Sequence, residues 1–474
     1  MFGNLKAMLL MTLLLLVGPL TSNSQEIIRL SKQEALKMAT QYNTDILNSE
    51  LDRKIAQKKI WETTASGLPQ LNAKGNYQHT FKVPTVSFGG GMELSTTNIP
   101  YDPITNTGTI SGVTLQSGEN IYMNATPGAE IELGAPNYTT FDFTVSQLIF
   151  SGSYIVGLQA SKVYFSFSEH NAEKIKLDVI ESVSNTYNVI QLAEESEKIL
   201  IQNLENINKT LYEISEMNKQ GFVEKTDVDQ LELSANTVRN AINQVQSNIR
   251  ITYRLLKIQL GIGDSLDVKV TDPIESNDLL NIAITALVNE PFVLEQNVDY
   301  KLIQISEKSA ELQLNLAKSS YLPTISAFYN HTEKINAPAF DFAPKDIMGV
   351  TMNIPLFSSG QRSSVVSQRK MDLDKAINTR KFVSGSLLMQ ATQYQDDLKV
   401  KLENYQNQLK NKQLSDEIYQ RTLEKYKQGI ASSMDLMNSQ NQYLTNLTSY
   451  YQSIYDLQSS KTKLEKLFNI NQIQ

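Results

Sequence analysis

Only three histidines, at 79, 170 and 331, and no cysteine are available in this 474-residue chain for metal binding or nucleophilic chemistry. Thiolate catalysis, disulfides, Cys-based zinc sites and the lipidated N-terminal cysteine of a bacterial lipoprotein are thereby excluded. The acidic run Asp227-Val228-Asp229 lacks the Gly and the distal Glu of a calcium loop. Gly89-Gly90-Gly91 lacks the Lys-Ser/Thr that completes a phosphate loop. His79 and His331 stand singly in strand-like segments, beside Tyr77 and Tyr329, and suit an aromatic girdle better than a metal site. No catalytic, cofactor-binding or metal-ligating set is expected, so the chain does not read as an enzyme. A net charge of -7 with no basic cluster argues against nucleic acid as a partner.

What recurs instead is a spacing. Lys219-Gln220-Gly221 is followed by Asp227, and Lys427-Gln428-Gly429 by Asp435, with the same Gly-to-Asp interval. Each Asp falls in the first turn of a helical pattern, where a carboxylate gains about 0.3–1 kcal/mol from the helix dipole. Asp229 and Glu232 do no more than this.

The elements around that spacing are long. No Pro occurs in 151–260 or in 356–474, and those stretches read as helices. Over 180–214 the residues Ile180, Val183, Tyr187, Ile190, Ala193, Glu197, Leu200, Leu204, Ile207, Leu211 and Ile214 step by three and four. Such stepping keeps one narrow apolar seam, as in coiled coils. Leu402, Tyr405, Leu409, Tyr419, Leu423 and Tyr426 repeat the habit, and Leu444, Leu447, Tyr451 and Ile454 carry it on a return helix. A helix from Tyr154 to Glu216 would run about 95 Å at ~1.5 Å per residue, and one from Gln361 to Lys427 would be similar. Return helices are expected near 225–258 and 433–470, and shorter ones near 45–66 and 292–320.

Between the helices, Phe141, Phe143 and Val145 alternate with Asp142, Thr144 and Ser146, and Val350, Met352 and Ile354 with Thr351 and Asn353. One apolar and one polar face fits a membrane β-barrel, or equally a half-buried soluble strand. Strands are expected at about 70–82, 139–150, 324–333 and 347–356, too few in one chain to close a barrel. The segment 83–140 holds eight of the 21 Gly, five acids and no Lys or Arg, and reads as a large acidic surface loop. At the N-terminus, Lys6, the apolar run Ala7 to Leu20, and Ser22 and Ser24 before Gln25 read as a cleaved secretory signal peptide, 1–24.

The order of these elements repeats. Leu68-Pro69-Gln70-Leu71 returns as Leu322-Pro323-Thr324-Ile325, and Leu148-Ile149-Phe150-Ser151-Gly152 as Pro355-Leu356-Phe357-Ser358-Ser359-Gly360. A first repeat at 25–261, a linker at 262–275 and a second repeat at 276–474 are expected, with helical hairpins at 153–258 and 361–470.

These duplicated junctions, with the turns Gly221-Phe222-Val223-Glu224-Lys225-Thr226-Asp227-Val228 and Gly429-Ile430-Ala431-Ser432-Ser433-Met434-Asp435-Leu436, resemble the TolC-type family of outer-membrane efflux ducts. The resemblance covers nearly all of the chain after its leader. It implies a mainly α fold with a membrane β-barrel. Three chains form a homotrimer, each giving four strands to one shared 12-stranded barrel in outer-membrane lipid. A long α-helical coiled-coil barrel continues it through the periplasm, with 262–275 in an equatorial belt. It further implies a passive exit duct, which docks a periplasmic adaptor (membrane fusion) protein and an inner-membrane pump of the RND or ABC type.

Two sets of residues follow from the resemblance. The adaptor-docking tip maps to Gly221, Phe222, Val223, Gly429 and Ile430. An apolar Phe222-Val223 on a turn is odd for a solvated loop and sensible for docking, while Gly ending a helix in the left-handed conformation is the competing account. The periplasmic gate maps to Tyr426, Thr226, Asp227, Asp435 and Asn438. Here Ala431 stands where the family has Arg, and Asn438 where it has a second Asp. Three copies of Asp435 at a narrow axis would favour cations; for Asp227 the dipole account is preferred. A soluble periplasmic coiled-coil scaffold is the alternative reading of the helices, and it leaves the paired alternating segments and the insert unexplained.

Overall fold

The computed structural model describes residues 27–88, 92–98, 119–125, 129–263, 266–273, 284–337 and 341–470. The expected signal peptide, and parts of the insert and of the 262–275 linker, lie outside the described residues. The chain divides into two compact units, one of residues up to 60, 159–315 and 363 onward, the other of 61–158 and 316–362.

Long helices build the first unit. Helix α1 (Lys32–Tyr42) and helix α2 (Thr44–Ala65) precede α3 (Gly152–Lys219), which has 68 residues, and α4 (Lys225–Gln259), which has 35. Helix α5 (Val298–Ser319) leads to α6 (Gln361–Lys427) with 67 residues and α7 (Ser433–Leu467) with 35. The absence of Pro lets the ladders run unbroken, and the seam supplies the packing that propensity alone does not. Ile180, Val183, Tyr187 and Ile190 are buried with Leu256 and Leu260 of the α4 end. Leu200 and Ile207 pack with Ala235, Val238 and Ile242 of α4. Tyr419 of α6 stacks on Tyr443 of α7 at 5.7 Å between ring centroids, a geometry worth about 0.5–1.5 kcal/mol beyond the buried area.

One pairing was not expected from the sequence. Strand β1 (Ile27–Leu30) runs parallel to β8 (Asp267–Val270), inside the segment read as a linker. The Tyr187 hydroxyl of α3 donates to the Leu30 carbonyl at 3.0 Å and accepts from the N–H groups of Thr271 and Asp272 at 3.3 and 3.2 Å. Two four-residue strands separated by more than two hundred positions carry too little periodicity to be read locally.

The second unit contains an antiparallel sheet of β2 (Gln70–His79), β7 (Asn137–Ser151), β9 (Thr324–Ile335) and β10 (Asp346–Asn353), in the order β10-β9-β7-β2. These are the four expected strands, with ends shifted by a few residues. Strands β2 and β10 form the edges. Phe141, Phe143 and Val145 are exposed on one face. On the other, Thr332 donates to Asp142 at 2.6 Å and Thr144 to Asn330 at 2.6 Å. The polar face is therefore stitched across two strands, while Phe141, Phe143 and Val145 of the apolar face are left exposed by the described residues.

The insert, expected as a surface loop, contains further strands. Strand β3 (Thr85–Phe88) pairs with β6 (Ala129–Glu132), and β4 (Met92–Asn98) with β5 (Glu119–Ala125). His79 lies opposite Asn137, which would project Thr85 opposite 131; its observed partner is Glu132, a slip of one residue. Phe88 opposite Ala129 then projects Met92 onto Ala125, as observed. The two ladders thus share one register, a single residue off that of β2 and β7. Strands β3 (Thr85-Val86-Ser87-Phe88) and β6 (Ala129-Glu130-Ile131-Glu132) do alternate, but over four residues each, the shortest run that can mark a strand.

Candidate functional site

The two helix-to-helix turns of the first unit share one backbone design. At the end of α3, the N–H of Phe222 bonds the Met217 carbonyl at 3.0 Å and that of Gly221 the Asn218 carbonyl at 2.9 Å. At the end of α6, Ile430 bonds Lys425 at 2.8 Å and Gly429 bonds Tyr426 at 2.9 Å. Both are Schellman motifs, which need a left-handed residue after the helix. Gly221 at φ 77° and Gly429 at φ 72° provide it.

The residues after each Gly split into an outward and an inward one. Phe222 is 75% exposed and Ile430 70% exposed. Val223 and Ala431 instead pack against a core of Ile214, Leu231, Tyr419, Leu423, Tyr426 and Leu436. Val223, assigned with Phe222 to an exposed tip, is in this chain a half-buried anchor, and Asn218 Nδ2 donates to its carbonyl at 2.6 Å. The turns present one large apolar side chain each, held out by a buried neighbour.

Of the gate positions, Tyr426 is buried, and its hydroxyl has no hydrogen-bond partner among the described residues. Burial, reinforced by the charge of Asp227, pushes its pKa up to about 12. The structure therefore brings Tyr426 and Asp227 within electrostatic reach. Thr226 does not join them: its hydroxyl donates to Glu224 Oε2 at 3.1 Å. Asp435 is the third residue of α7 and closes a capping box with Ser432. Its Oδ2 accepts from the Ser432 hydroxyl at 2.6 Å and from the Ser432 N–H at 3.0 Å, and its own N–H bonds Ser432 Oγ at 3.1 Å. These bonds hold the Asp435 carboxyl below the usual carboxylate range. Asn438 lies exposed about one turn further on. Sequence reasoning passed over Ser432, although Ser-x-x-Asp before a helix is a recognisable signal.

The sheet separates the two strand histidines. His79 lies opposite Asn137 and His331 opposite Phe143 on the intervening strand β7, six positions and roughly 20 Å apart. They share no ion. His79 Nδ1 lies 2.8 Å from Asn137 Oδ1, to which the Tyr77 hydroxyl also donates at 3.0 Å. His331 Nδ1 lies 2.7 Å from Asp346 Oδ1, with the Tyr329 hydroxyl donating to the same atom at 2.7 Å. Each histidine is thus joined with its tyrosine on a neighbouring-strand acceptor.

A long helical unit and an open four-stranded sheet with an uncovered apolar face define the fold class of outer-membrane efflux channels. Residues 293–469 match the family model described as outer membrane efflux protein. Solved channels share the fold. The outer membrane protein VceC from Vibrio cholerae is 14% identical with a TM-score of 0.66, over 92% of this chain and 96% of that one. The CmeC outer membrane channel of Campylobacter jejuni is 18% identical with a TM-score of 0.67, over 92% and 85%. CusC, described by its channel formation, is 13% identical with a TM-score of 0.68, over 92% of both chains. No curated sequence matches the chain at a significant level. The resemblance to outer-membrane efflux ducts is thus borne out by the family match over 293–469 and by the fold.

Proposed function

We propose that this protein is the outer-membrane exit duct of a tripartite export system. Three copies share one 12-stranded barrel and continue it as a helical tunnel, built in each chain from two repeats with the 262–275 segment between them. The observation that carries the trimer is the four-stranded sheet with open edges at β2 and β10. A single chain cannot close it, since the smallest outer-membrane barrels have about eight strands, and an unpaired backbone edge does not persist in lipid. The family match supports a passive conduit working with a periplasmic adaptor and an inner-membrane RND or ABC-type pump.

Within that reading, Phe222 and Ile430 with their glycines form the adaptor-docking tip, seated by Val223 and Ala431. Asp435 and Asn438 line the periplasmic gate, with Tyr426, Thr226 and Asp227 behind them. Light scattering on detergent-extracted protein, with the detergent mass subtracted, tests the architecture. A particle close to three chain masses is expected. A soluble monomer or dimer would instead favour a periplasmic coiled-coil scaffold.

A further inference from the structure

Buried polar side chains occur along the long helices, and among the described residues Gln440 is the least exposed amide. Gln440 of α7 is only 1% exposed, and both ends of its amide are used. Its Oε1 accepts from the Ser234 hydroxyl of α4. Its Nε2 donates to Asn203 Oδ1 of α3 at 3.2 Å. Ser234 and Asn203 are themselves buried. One amide therefore links α7 to α3 and α4, about two turns above the start of α7.

We propose that Gln440 is a positioning residue, which sets the register of α7 against α3 and α4 and thereby places the tip that carries Asp435. This rests on the channel reading for its functional consequence and on the helix contacts alone for the register itself. The physical reason is directional. On one side lies an apolar cluster of Leu231, Tyr419, Leu436 and Tyr443, and on the other Leu200, Ile207, Ala235 and Val238. Apolar contacts are non-directional, so a seam made only of them tolerates sliding. A buried amide has one partner set, and a shift of one residue would rotate it by about 100° and strand both ends. Single buried polar residues specify register in coiled coils in this way.

The chain has no cysteine, so spin labels at Thr237→Cys on α4 and Thr445→Cys on α7 report register directly, with labelled chains diluted among unlabelled ones. A single narrow distance is expected in the otherwise unaltered trimer, and a broadened or split distribution in Gln440→Leu. Ser234→Ala alone strands Gln440 Oε1 and lowers the melting temperature. The pair Ser234→Ala with Gln440→Leu recovers only part of the melting temperature, because Asn203 Oδ1 is left without its donor, and does not recover the narrow distance. In planar bilayers the same pair loses the single resting conductance level. A wild-type distance distribution in the pair would overturn the proposal and leave the network as packing alone. Absence of any pore from the unaltered protein would strike the channel reading, while the distance measurement still decides the register.

Discussion

At the scale of single residues, Asp435 holds two jobs that one substitution cannot separate. Its Oδ2 is committed to Ser432, whereas its charge would act on ions in the bore. Ser432→Ala removes the cap and keeps the charge; Asp435→Ala removes both. Loss of cation selectivity in Asp435→Ala, with selectivity kept in Ser432→Ala, is expected from reversal potentials in bilayers. Equal ratios in all three proteins would take Asp435 out of the bore. Because its carboxyl is held low, its capping contribution is present above the unfolded pKa. That contribution is lost only as pH falls through the lower folded value, beneath the ordinary ~3.9. Selectivity carried by this charge fades in the same acidic window. Tyr426 presents the opposite case, a buried hydroxyl with no partner among the described residues. Relieving it in Tyr426→Phe is expected to stabilise the helical unit by about 1 kcal/mol, read as a higher melting temperature.

Elements set what the turns can do. Gly221 and Gly429 have open space where a Cβ would stand, so replacing either by Ala meets no clash and costs only the left-handed backbone, about 1–2 kcal/mol. Faster amide exchange confined to the affected turn checks this. Phe222 and Ile430 contribute little to that turn's stability, being mostly exposed. The pair Phe222→Asp with Ile430→Asp should leave melting and trimer mass unchanged while abolishing capture of the cognate adaptor. Retained capture would move docking elsewhere on the helices.

For the whole molecule, the proposed shared barrel predicts a strand contact between copies. Cysteines introduced one at a time along the outer edges of β2 and β10, in a chain with none of its own, should cross-link β2 of one protomer to β10 of the next. Denaturing gels are expected to show covalent dimers and trimers for one register of pairs. Cross-links between like edges, or none at all, would contradict a shared barrel.

Much of this architecture was legible in the chain itself. Freedom from Pro over 151–260 and 356–474, together with seams such as Ile180-Val183-Tyr187-Ile190, marked the helices because periodicity is a local property of sequence. Alternation around Phe141 and Val350 marked the strands for the same reason, and the Gly221 and Gly429 turns followed from residue chemistry. Tertiary structure alone decided the rest. The parallel pairing of β1 with β8 joins Ile27–Leu30 to Asp267–Val270, and no local signal foretells a partner so distant. The insert ladders needed the register of β2 and β7 to appear. Val223 was read as part of a tip and is an anchor, because burial depends on the core beneath it. Gln440 looked like one more polar residue off the seam until the helices around it showed that it had partners on two of them.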